Sequence, residues 1–250
     1  MTDRFRLVYL KSTEQENHGP RENLFSSDRE RSNRILSTPA DPSPESHATR
    51  EILKQAKEDL KHPDPKVRRL AVKYFLEKSH LSIPMPLLQD ILSDPDPTVR
   101  SEALSTLIAF GNPIVSPFLK RHLRDPDPTV RLIALRGIFK FKEKIDLNLL
   151  IQLLSDDSPW VRRKLATLLG WNQMEGVLPI LMEMTRDEHP MVKKAAIFSL
   201  VTLYPEEGEV RLMEAMTDSD PDIRKWAKDH LTWRIEKPLT QRGAPLSREY

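Results

Sequence analysis

Between residues 51 and 235 the apolar residues recur at helical spacing, in two kinds of segment that alternate along the chain. The first kind comprises ILKQAKEDL (52–60), PLLQDIL (86–92), IVSPFLKRHL (114–123), LNLLIQLL (147–154), GVLPILMEM (176–184) and EVRLMEAM (209–216). The second kind opens on an aliphatic followed by a base, with Val67, Val99, Val130, Val161, Val192 and Ile223 as the aliphatics. Counting that residue as position zero, position four holds Ala71, Ala103, Ala134, Leu165, Ala196 and Ala227. Position eight holds Phe75, Leu107, Ile138, Leu169, Leu200 and Leu231. Positions zero, four and eight lie on one side of a helix, so each second segment predicts a helix with a single apolar stripe. The aliphatics are spaced by 32, 31, 31, 31 and 31 residues. A fixed period of this length marks stacked supersecondary units, each too small to bury its own apolar face. The pattern predicts an all-α solenoid, a superhelix of six two-helix repeats.

Between the two segments of each unit lies a polar corner: HPDPKVR at 62, DPDPTVR at 94 and again at 125, DDSPWVR at 156, DEHPMVK at 187 and DSDPDIR at 218. Asp64, Asp96 and Asp127 stand where an N-cap belongs, and Pro65, Pro97 and Pro128 stand at the first helical position, where a missing N–H costs nothing. The first proline of each DPDP keeps the residue before it out of helical geometry, which sharpens the turn. A calcium loop of the EF-hand type needs oxygens at alternate positions and a central glycine. Here prolines and an arginine occupy those places. The corner is expected to shape the chain, with no metal site in it.

These corners resemble the HEAT repeats, and more narrowly the short bacterial type named after phycobilisome lyases. The resemblance implies a hydrogen-bonded ladder between successive repeats, built from an Asp in the turn and a base six residues later. The matching pairs are Asp94 with Arg100, Asp125 with Arg131, Asp156 with Arg162 and Asp218 with Arg224. Asp187 with Lys193 is a softened version, and the first unit departs, with His62 opposite Arg68. A tetratricopeptide array fails on its 34-residue period and on its Trp–Leu–Gly–Tyr pattern. Proteins of HEAT type include scaffolds, lyase subunits and a few enzymes, so the resemblance implies a fold more firmly than an activity. One such enzyme, deoxyhypusine hydroxylase, uses paired His-Glu steps as iron ligands. The seven histidines here are followed by Gly, Ala, Pro, Leu, Leu, Pro and Leu, so that ligand set is missing.

Composition changes the picture at the two ends. From residue 11 to 50 the sizeable apolar residues are Leu24, Phe25, Ile35 and Leu36 among many charged residues, Ser and Pro. Such a stretch buries too little surface to offset its ordering entropy. The expected organisation is a disordered arm over 1–50, a solenoid over 51–235 and a flexible tail over 236–250. With no cysteine there is neither a disulfide framework nor a thiol nucleophile. No apolar run approaches the ~20 residues of a membrane helix. The opening MTDRFRLVYLKST holds only LVYL as a continuous apolar core, short of the ~7–15 residues of a secretory signal. A soluble cytoplasmic protein without membrane contact is expected.

Candidate chemistry adds little catalysis. There is no GxSxG, no glycine-rich phosphate loop and only seven glycines in all. His80, His122 and His230 fall in three separate repeats, and we read them as surface or core residues. The chain is therefore expected to be a non-enzyme with no cofactor. A binding face is better supported. With positions zero, four and eight buried, positions two, three, six and ten of the second helices face outward. They carry Arg69, Lys73, Arg136, Lys140, Arg163, Lys164, Lys194 and Lys225, together with Trp171, Trp226 and Trp233. Trp160 sits one residue before its valine. Twelve-residue windows from each key aliphatic carry +14 between them against +2 for the whole chain, which leaves −12 elsewhere. Six of those bases belong to the ladder, so the unpaired excess is nearer +8. Tryptophan and arginine dominate interface hot spots. The expected function is a protein–protein interaction scaffold or adaptor whose concave face binds an acidic or aromatic-bearing segment of another protein. The family resemblance also implies an alternative, a lyase-like or chaperone subunit acting on a chromophore protein. A third reading, HEAT-like nucleic-acid binding, is disfavoured by the near-neutral net charge.

Overall fold

The computed structural model describes residues 44–78, 84–111, 113–141 and 145–236, all within the unit that starts at Ser43. The arm and tail expected at the two ends fall, apart from residues 44–50 and Glu236, outside the described residues, as do His80 and the side chain of Trp233. The described chain is helical throughout and contains no strand. Its helices are α1 (Pro44–Asp59), α2 (Pro65–Lys78), α3 (Met85–Leu92), α4 (Pro97–Ala109), α5 (Ser116–His122) and α6 (Pro128–Lys140). They continue with α7 (Leu147–Ile151), α8 (Pro159–Asn172), α9 (Leu178–Met184), α10 (Pro190–Leu203), α11 (Pro205–Ala215) and α12 (Pro221–Glu236). Odd-numbered helices are the first of each unit and even-numbered helices the second.

Every second helix starts on a proline, as the corners predict. Asp64, Asp96 and Asp127 each accept a hydrogen bond at 2.8 Å from the N–H two residues on. Asp220 does the same for Asp222 at 2.8 Å, and the His189 ring accepts from Met191 at 3.3 Å. Ser158 makes no side-chain cap. Helix α1 begins at Pro44, earlier than the boundary read at residue 51. Its first residues, PESHATR, are polar yet mostly compatible with a helix. Apolar content does not register such a polar helical segment. Two first helices are partly 3-10: Pro113–Val115 precedes α5, and Gln152–Ser155 follows α7.

The apolar stripe forms the core. Val99, Val130, Val161, Val192 and Ile223 are buried, as are Ala71, Ala103, Ala134, Leu165, Ala196 and Ala227. Phe75, Leu107, Ile138, Leu169 and Leu200 complete it, while Val67 and Leu231, in the first and last units, are half-buried. Successive second helices pack side by side from α2 to α10. Position seven of one helix faces positions five and nine of the one before. Ser199 Oγ donates to the Ala166 carbonyl at 2.8 Å, and a Cβ on Gly170 would meet Ser199. A Cβ on Gly137 would likewise strike Ile108 and Leu119. Positions five and nine are accordingly apolar or small: Val72 and Leu76, Leu104 and Ile108, Leu135 and Phe139, Ala166 and Gly170, Ile197 and Val201. In α12 the same two positions carry Lys228 and Thr232, both exposed. Buried His122 braces units two and three, its ring nitrogens lying 2.7 Å from the Phe118 carbonyl and 2.8 Å from the Leu92 carbonyl.

Candidate interaction face

The corners tie each unit to the next. Arg68, Arg100, Arg131 and Arg162 each cross to the next unit and bond both oxygens of Asp94, Asp125, Asp156 and Asp187 at 2.6–2.9 Å. Each also donates through Nη1 to backbone carbonyls of its own corner, as Arg100 does to Asp94 (2.8 Å) and Pro95 (3.1 Å). The Asp and base of one corner therefore do not pair side chain to side chain. The acid serves the unit before it and the base serves the unit after it. Arg68, expected to be the departing case, is a complete rung, and His62 keeps the turn by accepting from the Asp64 N–H at 3.0 Å. Lys193 makes one bond to Asp218, at 2.8 Å. Arg224 holds the carbonyls of Asp218 and Ser219, both at 2.8 Å, and no carboxylate meets it among the described residues.

Electrostatics follow from these contacts. Hydrogen bonding to Asp125 raises the already high pKa of Arg100, against the opposing pull of burial. Burial pushes Asp218 upward, but Lys193 and the Asp220 N–H outweigh it and hold the carboxyl below its ordinary value. The Thr98 hydroxyl and N–H do the same for Asp96. Asp157 and Glu188, which sequence reasoning passed over, add second carboxylates to Arg131 and Arg162. Beside the Arg131 rung a cleft of about 260 Å³ is lined by Arg124, Arg131, Asp156 and Asp157. Its polar groups are already engaged, Arg124 with Gln152 and Arg131 with both acids. Among the described residues no group of three or more histidines and carboxylates gathers where a metal ion would sit.

The outward ridge is centred on α8. Trp160, Arg163, Lys164 and Trp171 stand at helical spacings of three, four and seven, which places them on one side. Trp160 is 55% exposed and Trp171 67% exposed. The Arg163 guanidinium lies 5.8 Å from the Trp160 ring centre, and the Lys164 ammonium 5.7 Å from that of Trp171. Helix α8 ends just past Trp171, where Gln173 turns the chain with a left-handed φ of 47°. Burial pushes the Lys164 pKa down, and Arg136 and Arg163 add to the effect. Cations are thus crowded around Lys164.

Other expected face residues divide by environment. Arg69, Lys73, Arg136 and Lys225 are exposed, and Lys194 is half-buried. Arg69 approaches Glu102 at 4.0 Å. Lys140 is turned to a structural use, donating to the Ile108 carbonyl at 2.6 Å at the end of α4, where the helix dipole favours a cation. Trp226 is half-buried against the cluster of Ile197, Ile223 and Ala227, its ring 4.4 Å from that of His230. Phe198 meets His230 edge-on at 6.4 Å. Burial and nearby Lys194 push the His230 pKa down, against the Trp226 carbonyl and Asp229. Phe198 sits at position six of α10, the register of Arg136, and a count of all aromatic residues there would have found it.

A family model described as HEAT repeats matches residues 51–138 and 147–232. No curated protein matches the chain. Among solved structures, the chain is similar to the complex of CpcE and CpcF of phycocyanin lyase from Nostoc, with 20% identity over 78% of this chain and 79% of that one, at a TM-score of 0.47. It is also similar to human deoxyhypusine hydroxylase in complex with glycerol, with 17% identity over 80% and 93% of the two chains, at a TM-score of 0.33. The 31-residue period, the crossing Asp–Arg rungs and the family match agree, and the chain belongs to the HEAT-repeat family.

Proposed function

We propose that the protein is a cytoplasmic, non-catalytic scaffold whose second-helix ridge binds an acidic segment of another protein. The observation that carries this reading is the pairing of two exposed tryptophans with Arg163 and Lys164 on α8, beside Arg136. Each ring holds a cation in place and offers an apolar plate beside it. A carboxylate arriving at that spot meets preset donors, and an aromatic or aliphatic neighbour covers the indole. Half-buried Lys194 and exposed Lys225 extend the cationic face into units five and six.

The test is the double charge reversal Arg163→Glu with Lys194→Glu, assayed by fluorescence anisotropy against a labelled glutamate–tyrosine copolymer. Affinity should fall by about tenfold or more, the scale of a lost interfacial charge pair. Unchanged affinity would dismiss the ridge. Duplex and single-stranded DNA serve as comparison ligands. Tight, steeply salt-dependent DNA binding would reassign the ridge to nucleic acid.

A further inference from the structure

A second surface lies on the first helices. Ile151 on α7, Met182 on α9 and Met213 on α11 stand 31 residues apart and so occupy one register of three stacked units. Ile151 is 46% exposed and Met213 53% exposed, with Met182 half-buried between them and Val210 exposed alongside. In the first three units the same register carries Lys57, Gln89 and Lys120, all exposed. Packing of the repeats therefore tolerates a polar residue there, and the stack does not require the isoleucine and methionines. Apolar residues left exposed in one register of successive units, where the other units carry polar ones, mark a contact site.

The rim decides what kind of partner fits. Glu175, Glu183, Glu206, Glu207 and Glu214 are exposed around the row, while Arg186 and Arg211 are each drawn to a rim glutamate, Glu183 and Glu214. Around Met182 and Met213 the surplus carboxylates are those of Glu175, Glu206 and Glu207, opposite in sign to the ridge on the second helices, while at the Ile151 end Arg124 holds Gln152. Spacing decides its conformation. Neighbouring helices of a stack lie about 10 Å apart. Side chains seven apart on an α-helix repeat at about 10.5 Å, whereas same-face residues of a strand repeat at about 7 Å. Methionine's flexible thioether adapts to such a ligand.

We infer that the Ile151–Met182–Met213 row is a docking surface for a basic amphipathic helix of another protein, laid across α7, α9 and α11 with its lysines or arginines facing the rim glutamates. The surface is independent of the ridge on the second helices. The probe is a fluorescein-labelled leucine–lysine helix of roughly 18 residues, apolar on one side, about five turns long. It should bind the full chain, and Ile151→Glu with Met213→Glu should weaken it by about tenfold or more, equivalent to about 1.4 kcal/mol. Ile151→Leu with Met213→Leu should bind within about twofold of the parent, since volume and apolarity are kept. Equal binding by the glutamate pair, or by a scrambled peptide of the same composition, would overturn the inference. So would tighter binding of a leucine–glutamate helix. Failure of the lysine helix to bind, with self-association that the glutamate pair abolishes, would assign the row to a second copy instead and equally overturn it.

Discussion

The guanidinium of Arg131 is held at five points: both oxygens of Asp156, the exposed Asp157, and the carbonyls of Asp125 and Pro126. Arg131→Ala would leave the Asp156 carboxylate, whose side chain is only 4% exposed, without its counter-charge. The expected loss is about 3–5 kcal/mol of unfolding free energy. Arg224→Ala removes only bonds to its own corner and should cost about 1 kcal/mol. Urea denaturation of the two variants checks the ratio, and near-equal losses would argue against a ladder that works across units. At this scale the sequence showed which residue types would meet, and at what spacing. Which acid meets which base was less legible, because Arg68 reaches Asp94 through the stacking of units rather than along the chain. His62 illustrates the limit: it fails as a rung acid yet serves the turn, since accepting one N–H requires only a lone pair.

Helices are where the chain was most readable. Proline fixes the start of each second helix locally, with a capping side chain in all but α8, so position along the chain suffices to find it. The close approaches between helices were not readable, because they depend on how two elements meet. Gly208 on α11 is an example. A Cβ there would strike the backbone of Val201 on α10, which cannot move aside as the tip of a side chain could. Gly208→Ala should destabilise the protein by about 1–3 kcal/mol through overpacking, despite the better helix propensity of alanine. A raised melting temperature in that variant would contradict the packing described. The mixed α and 3-10 segments in units three and four belong to the same class, since an apolar run reads alike in either geometry.

For the whole molecule, stability runs from neighbour to neighbour, and so does weakness. The joint between units five and six rests on a lysine with one bond, where the other rungs use an arginine with two or three. Amide exchange should therefore be fastest in α11 and α12 among units two to six. Lys193→Arg should slow it several-fold, as expected from about 1 kcal/mol of added hydrogen bonding. Equal protection along the stack would show that apolar packing outweighs the rungs. The candidate face was legible only in outline. Charge and tryptophan counts located the ridge, but Lys140 turned out to brace a helix end and Trp226 to pack inward, distinctions that need the neighbouring unit in place.

Lys228 and Thr232 also bear on how this molecule could be lengthened or spliced. A hairpin inserted between existing units finds apolar seats on both sides, so growth from within is open to gene duplication or to an engineer. A hairpin appended after α12 finds a wet, charged wall, and extension at that end requires those two side chains to be exchanged first.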